Sequence, residues 1–149
     1  MMLAMKTSNR GIALIKELEG YRDKAYKCEA GVLTCGYGHT QGVKRDTTCT
    51  PEIAEQWLRE DIQWAERVVN ELQGLAQCQF DALVSFVYNI GSKAFRGSTA
   101  YRLIKENPDD PRIANAIRMW NKVTINGRKE TSKGLTNRRE KEIALYYGR

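Results

Sequence analysis

The chain has 149 residues, 42% of them hydrophobic and 28% charged. That length suits one domain with a real core, and that balance excludes a disordered tail or a collagen-like chain. Net charge is +6, and no apolar run approaches the ~18 residues of a membrane span.

The opening stretch MMLAMKTSNRG is too short and too soon polar for a signal peptide. Synthesis in the cytosol without an export address is therefore expected. Ser8 is placed to cap a first helix, in which Ile12, Ile15 and Leu18 recur at helical spacing. Gly20 suits its end. From Tyr26 to Val43 the chain carries Gly31, Gly36, Gly38 and Gly42 around Val32-Leu33-Thr34-Cys35. This pattern predicts short strands joined by tight turns.

Thr50-Pro51-Glu52 is a strong helix start. Ile53, Trp57, Ile62, Ala65, Val68, Val69 and Leu72 extend it as one long helix ending near Gly74. Phe80 to Gly91 is apolar on nearly every side and reads as the central buried helix. Ser98 caps a shorter helix stopped by Asn107-Pro108, and Asp110-Pro111 starts another that ends near Trp120. A polar, basic loop is expected from Asn121 to Lys133, then a last helix capped by Thr136.

Strands in a single patch among helices mean an α+β fold, predominantly helical. The expected organisation is a single domain over 1–149. It has a strand-bearing lobe at about 20–50 and a helical lobe at about 51–149 plus helix 8–19. A long helix joining the two would leave a cleft, the usual place for an extended ligand.

Positive charge is one-sided. Residues 112–149 hold ten Lys/Arg and three acids, while the rest of the chain is nearly neutral. Such a surface attracts polyanions: nucleic acid, anionic lipid or wall polymers. No recognition helix or stacking platform for nucleic acid is evident, so a nucleic-acid partner is not expected. The last helix is short and weakly amphipathic, so stable membrane insertion is not expected either. No oligomer seam is marked, and a monomer is the default. Cys28, Cys35, Cys49 and Cys78 show no Cys-x-x-Cys pair, and His39 is the one histidine. A structural zinc site is therefore unexpected, and the thiols are free in the cytosol.

Two features carry chemistry. Glu19 ends an apolar helix face, where the negative end of the helix dipole and partial burial raise a carboxyl pKa. A carboxyl kept protonated can give its proton to a leaving oxygen; otherwise it is a solvated helix-end glutamate. His39 lies in Thr34-Cys35-Gly36-Tyr37-Gly38-His39-Thr40 and suggests either acid–base chemistry or a structural histidine held by a carboxylate. Asp61 is a reasonable partner for it.

Glu19-Gly20, Tyr26, Gly31-Val32-Leu33-Thr34 and Gly36-Tyr37-Gly38-His39-Thr40 together resemble the phage-type lysozymes of glycoside hydrolase family 24. The resemblance continues through Phe80–Gly91, Phe95-Arg96-Gly97-Ser98-Thr99, Trp120 and Gly134–Glu140. It spans about Thr7 to Leu145. It implies a lysozyme-like fold and an endolysin that cuts peptidoglycan glycan strands, without cofactor or metal.

The family uses a Glu–Asp–Thr set, which falls on Glu19, Cys28 and Thr34, so Cys28 departs from the commonest residue. The resemblance implies inversion, with Glu19 as acid and Thr34 holding the attacking water. Cys28 as a thiolate would polarise that water. Alternatively it attacks the sugar itself, or is tied up with Cys35 or another cysteine. The resemblance also puts Arg138 near the glutamate, and Tyr88, Asn89 and Ser98 along the saccharide groove. Without a membrane-arrest segment, cytosolic accumulation and release through a holin pore are implied. The alternative is an inactive, wall-binding module whose Cys28 marks the loss.

Overall fold

The computed structural model describes residues 4–149. Met1–Leu3, the beginning of the opening stretch, lie outside the described residues. The elements in order are α1 (Asn9–Glu19), β1 (Arg22–Lys27), β2 (Leu33–Gly36), α2 (Pro51–Asp61), α3 (Gln63–Val69), α4 (Gln77–Ile90) and α5 (Ser92–Arg96). They continue as α6 (Thr99–Glu106), α7 (Ile113–Arg118), β3 (Lys122–Ile125), β4 (Arg128–Thr131) and α8 (Lys133–Tyr146). Among the described residues no helix is long and apolar enough to cross a membrane.

The chain divides into two compact units. One is Ile12–Trp64; the other joins the residues up to Gly11 with Ala65–Arg149.

In the Ile12–Trp64 unit, β1 and β2 form an antiparallel hairpin, with Tyr26 opposite Thr34 and Lys27 opposite Leu33. The register slips between Arg22 and Tyr26, a bulge that bends β1. Ile15, Ala54, Leu58 and Ile62 are buried within this unit. Thr50 caps α2, its Oγ1 accepting from the Ile53 N–H at 3.3 Å.

The expected single long helix after Thr50 is two helices. At Ile62 ψ is −4°, and its N–H reaches both Leu58 and Glu60 carbonyls. This tight last turn ends α2, and α3 restarts at Gln63. Ile53, assigned to the apolar stripe, is 43% exposed; Ala54 and Leu58 face inward instead.

The second unit is built on α4 against α8. All nine residues of Gln79–Val87 are buried, which fits the expected central helix. Its polar members are partnered, as burial demands. Asp81 accepts from the Ser8 N–H at 3.0 Å and Gln77 Nε2 at 2.9 Å; Gln79 Nε2 donates to Asp109 Oδ1 at 2.9 Å. Gly11 of α1 is required here, because a β-carbon there would stand 2.7 Å from Asp81 Cγ.

Residues 121–133 are not a loop. β3 and β4 pair antiparallel, Val123 opposite Glu130 and Ile125 opposite Arg128. Asn126 and Gly127 form the turn, both with positive φ (51° and 77°), the two-residue geometry that suits strand twist. The cap of α8 is Ser132 rather than Thr136. Ser132 Oγ accepts from the Leu135 N–H at 3.1 Å, while the Thr136 hydroxyl donates back to the Ser132 carbonyl at 2.8 Å.

Candidate active site

Glu19 is the last residue of α1 and half-buried. Gly20 ends the helix at φ 75°, its N–H still bonded to the Lys16 carbonyl at 2.9 Å. At the end of β2, Cys35 and His39 exchange two backbone hydrogen bonds of 2.9 Å each, closing a tight turn. Gly36 and Gly38 supply its positive φ values of 69° and 80°. Gly38 passes so close to Glu19 that a β-carbon there would lie 3.3 Å from Oε1. The missing side chain is what lets the backbone approach the carboxyl.

Cys28 opens the turn between β1 and β2. Its N–H donates to the Val32 carbonyl at 3.0 Å, and the Gly31 N–H returns to the Cys28 carbonyl at 2.8 Å. This fold aims amides at the sulfur. Hydrogen bonds from the backbone of Val32 and then Ala30 hold the Cys28 pKa below the usual thiol value, against the push of burial; the Thr34 hydroxyl assists. Thr34 itself is 4% exposed, and its hydroxyl also lies 2.9 Å from the Val32 carbonyl. A thiol with a lowered pKa beside a hydroxyl brings two polar groups together at the turn end of the hairpin.

His39 and Asp61 pair as the sequence suggests, Nδ1 to Oδ2 at 2.8 Å. A carboxylate only accepts, so Nδ1 carries the proton. The ring stacks on Trp57 with centroids 4.5 Å apart, and His39 is 7% exposed. This geometry locks α2 to the turn that bears Gly38, a positioning arrangement.

The other predicted residues belong to the second unit. Arg138 is buried in a polar cluster, with Nε 3.2 Å from Glu142 Oε2 and an NH2 donating to the Ser85 carbonyl at 3.0 Å. Ser85 Oγ donates to Glu142 Oε2 at 2.6 Å, and Arg139 joins from the other side through NH1. Desolvation lowers the Arg139 pKa, while Glu142 opposes the shift. Asn89 Oδ1 accepts from Arg139 NH2. The Ser98 hydroxyl caps α6, accepting from the Tyr101 N–H at 3.0 Å and donating to the Phe95 carbonyl at 2.6 Å. Tyr88 is half-buried on α4.

Asn89 and Ser98 line an open pocket of about 560 Å³ with Met119, Trp120, Lys122 and Lys129. The contribution of the β3–β4 hairpin to this pocket escaped the sequence reading. The signal for it was the Asn126-Gly127 turn between Val-Thr-Ile and Arg-Lys-Glu-Thr. Among the described residues no group of three or more His, Cys, Asp or Glu could hold a metal ion.

The described residues take up the fold of a lysozyme-type hydrolase. The chain superposes on the endolysin from Escherichia coli O157:H7 phage FAHEc1 with a TM-score of 0.92 at 38% identity, covering 99% of this chain and 97% of that one. The family model described as phage lysozyme matches residues 16–142. An endolysin of Acyrthosiphon pisum secondary endosymbiont phage 1 is 43% identical, over 95% of this chain and 98% of its own length. An endolysin of Salmonella phage P22 is 38% identical, over 80% and 86%. The chain belongs to the phage lysozyme family. It is a lysozyme of the kind phages use to lyse their hosts, and lysozymes act on peptidoglycan.

Proposed function

We propose that this lysozyme cuts the β-1,4 bond between N-acetylmuramic acid and N-acetylglucosamine with inversion, Glu19 being its general acid. Glu19 gives its proton to the bridging oxygen as the bond to the sugar breaks. An oxocarbenium-like centre develops, and a water attacks it from the opposite face. Thr34 orients that water, and the Cys28 thiolate takes its proton. Tyr88, Asn89 and Ser98 bind the saccharide, and Arg138, His39 and Asp61 support the site.

The observation that supports this most is the hairpin chemistry. Cys28 stands where the family resemblance puts an aspartate, and backbone hydrogen bonds from Val32 and Ala30 hold its pKa below the usual thiol value. We further propose that the enzyme accumulates in the host cytoplasm, reaches the wall through a holin pore and works as a monomer. Its basic last quarter concentrates it on anionic wall polymers.

The test is reducing-end release from purified Gram-negative peptidoglycan by wild type and Glu19→Gln, under reducing conditions. Loss of the acid is expected to lower the rate about 10²–10⁴-fold. Equal release by both would overturn the role of Glu19. No release by the wild type would favour a wall-binding module.

A further inference from the structure

Three of the four cysteines lie in the Ile12–Trp64 unit, and the backbone sorts them. Cys35 is in β2 and fully buried. Cys49 ends a segment that runs along the other edge of β1. There Lys24 bridges Thr48, the Ala25 N–H donates to the Thr47 carbonyl at 2.9 Å, and the Cys49 N–H donates to the Asp23 carbonyl at 2.9 Å. β1 is therefore flanked by both cysteine-bearing segments. The two side chains meet over its bulged start, with Sγ atoms 3.5 Å apart. The Arg22 carbonyl lies beneath both, 3.7 Å from Cys35 Sγ and 3.6 Å from Cys49 Sγ. Both thiols are free.

Cys28 is kept apart from this pair. It faces Val32 at the turn end of the hairpin. Cys35 is three residues further along the strand, about 10 Å away at the rise of a β-strand. A disulfide spans Cα separations of only about 4.4–6.8 Å.

We propose that Cys35 and Cys49 are a disulfide-forming pair, closed by a disulfide-bearing oxidant in an oxidising compartment, and that Cys28 is not a partner of either. The compartment rests on the endolysin reading; the pairing rests on geometry alone.

Within the pair, Cys49 is the half-buried thiol and the one an oxidant meets first, Cys35 being buried. Its thiolate attacks one sulfur of an external disulfide, RS–SR. A Cys49–SR bond forms, the RS–SR bond breaks, and RS⁻ leaves to take up the proton that Cys49 gave. Cys35 then loses its proton and attacks Cys49 Sγ, and the second RS⁻ leaves and takes that proton. Two protein thiols are oxidised and one external disulfide is reduced to two thiols. Burial pushes the Cys35 thiol up to about 11, which makes it the slower first nucleophile; its 3.5 Å separation from Cys49 Sγ is what favours the second, intramolecular step.

The bond ties β2, which carries Thr34, to the segment just before the α2 cap.

The test uses the reduced full chain equilibrated natively with oxidised glutathione. Remaining thiols are trapped with iodoacetamide, and the protein is denatured, trapped again and mapped without reduction. A peptide linking Cys35 to Cys49 is expected, with Cys28 linked to neither. Oxidation should raise Tm by roughly 5–10 °C in the wild type and leave Cys49→Ala unchanged. Alkylation of both Cys35 and Cys49, or a cross-link of either to Cys28, overturns the pairing. A linked pair with unchanged Tm overturns its stapling role. The readout is covalent, so failure here and failure of the reducing-end assay are separate results.

Discussion

Gly38 and Glu19 are fitted to each other: the site of an absent β-carbon on Gly38 lies 3.3 Å from the Glu19 Oε1. Gly38 also holds φ 80°, a conformation that costs other residues about 1–3 kcal/mol. Gly38→Ala is therefore expected to lower stability by about 1–2 kcal/mol. It should also cut glycan cleavage at least about tenfold, since a small misplacement of a catalytic group is costly. Melting curves and reducing-end release, measured together, check both.

The Cys28 thiol titrates below the ordinary thiol value because amides of Val32 and Ala30, then the Thr34 hydroxyl, stabilise its anion. Alkylation by iodoacetamide, mapped at Cys28, should rise through a midpoint below that of the denatured chain. As pH falls through the folded pKa the thiolate is lost and the rate drops. Thr34→Val removes one stabilising hydrogen bond, so it should move the midpoint upward. If Cys28 deprotonates the attacking water, the rising limb of the cleavage rate follows the same midpoint.

Asp61 holds His39 through a 2.8 Å bond at a site where His39 is 7% exposed. Asp61→Ala leaves the imidazole N–H without its acceptor. A loss of about 1–3 kcal/mol is expected, visible as a lower urea midpoint. Cleavage should fall less than in Glu19→Gln, because His39 acts through the turn bearing Gly38.

Glu142 is fully buried and accepts hydrogen bonds from Arg138, Arg139 and Ser85. Glu142→Gln keeps the shape but strands two guanidinium charges. Removing one partner from a buried ionic cluster costs about 3–5 kcal/mol. Thermal unfolding should show one of the larger losses of any single substitution in α8.

Lys122 and Lys129 line the open pocket and are exposed. The double change to Glu should leave Tm within about 2 °C, as for surface substitutions generally. Wall cleavage should fall several-fold at low salt, with the difference closing above physiological ionic strength, where the Debye length is below about 8 Å.

The sequence carried the α+β outline because its signals are local. Ser8, Thr50 and Ser98 cap helices from within their own first turns, and Gly20 stops α1 through positive φ, whereas α3 ends at Val69, ahead of the Gly74 where the sequence predicts its end. Glu19 and Thr34 stand in short motifs that carry the family resemblance, and Cys28 is nominated by its spacing from Glu19. Other features were hidden because their causes are not local. The helix after Thr50 breaks at Ile62 without a Gly or Pro to mark it. The β3–β4 hairpin looked like a loop because nearly all its residues are polar and exposed. Thr136 looked like a cap, but Ser132 four residues earlier already filled that role.

By itself the sequence determined the family and many of the caps and turns, and it nominated the side chains proposed for acid and base. Spacing along the chain is enough for those, because caps, turns and motifs act over a few bonds. Tertiary structure alone decided that Gly38 abuts Glu19, that Cys35 meets Cys49 rather than Cys28, and that Arg138 and Arg139 converge on a buried Glu142. Those relations depend on packing and on desolvation. Both are properties of how distant segments are brought together and shielded from water, which no single stretch of chain encodes.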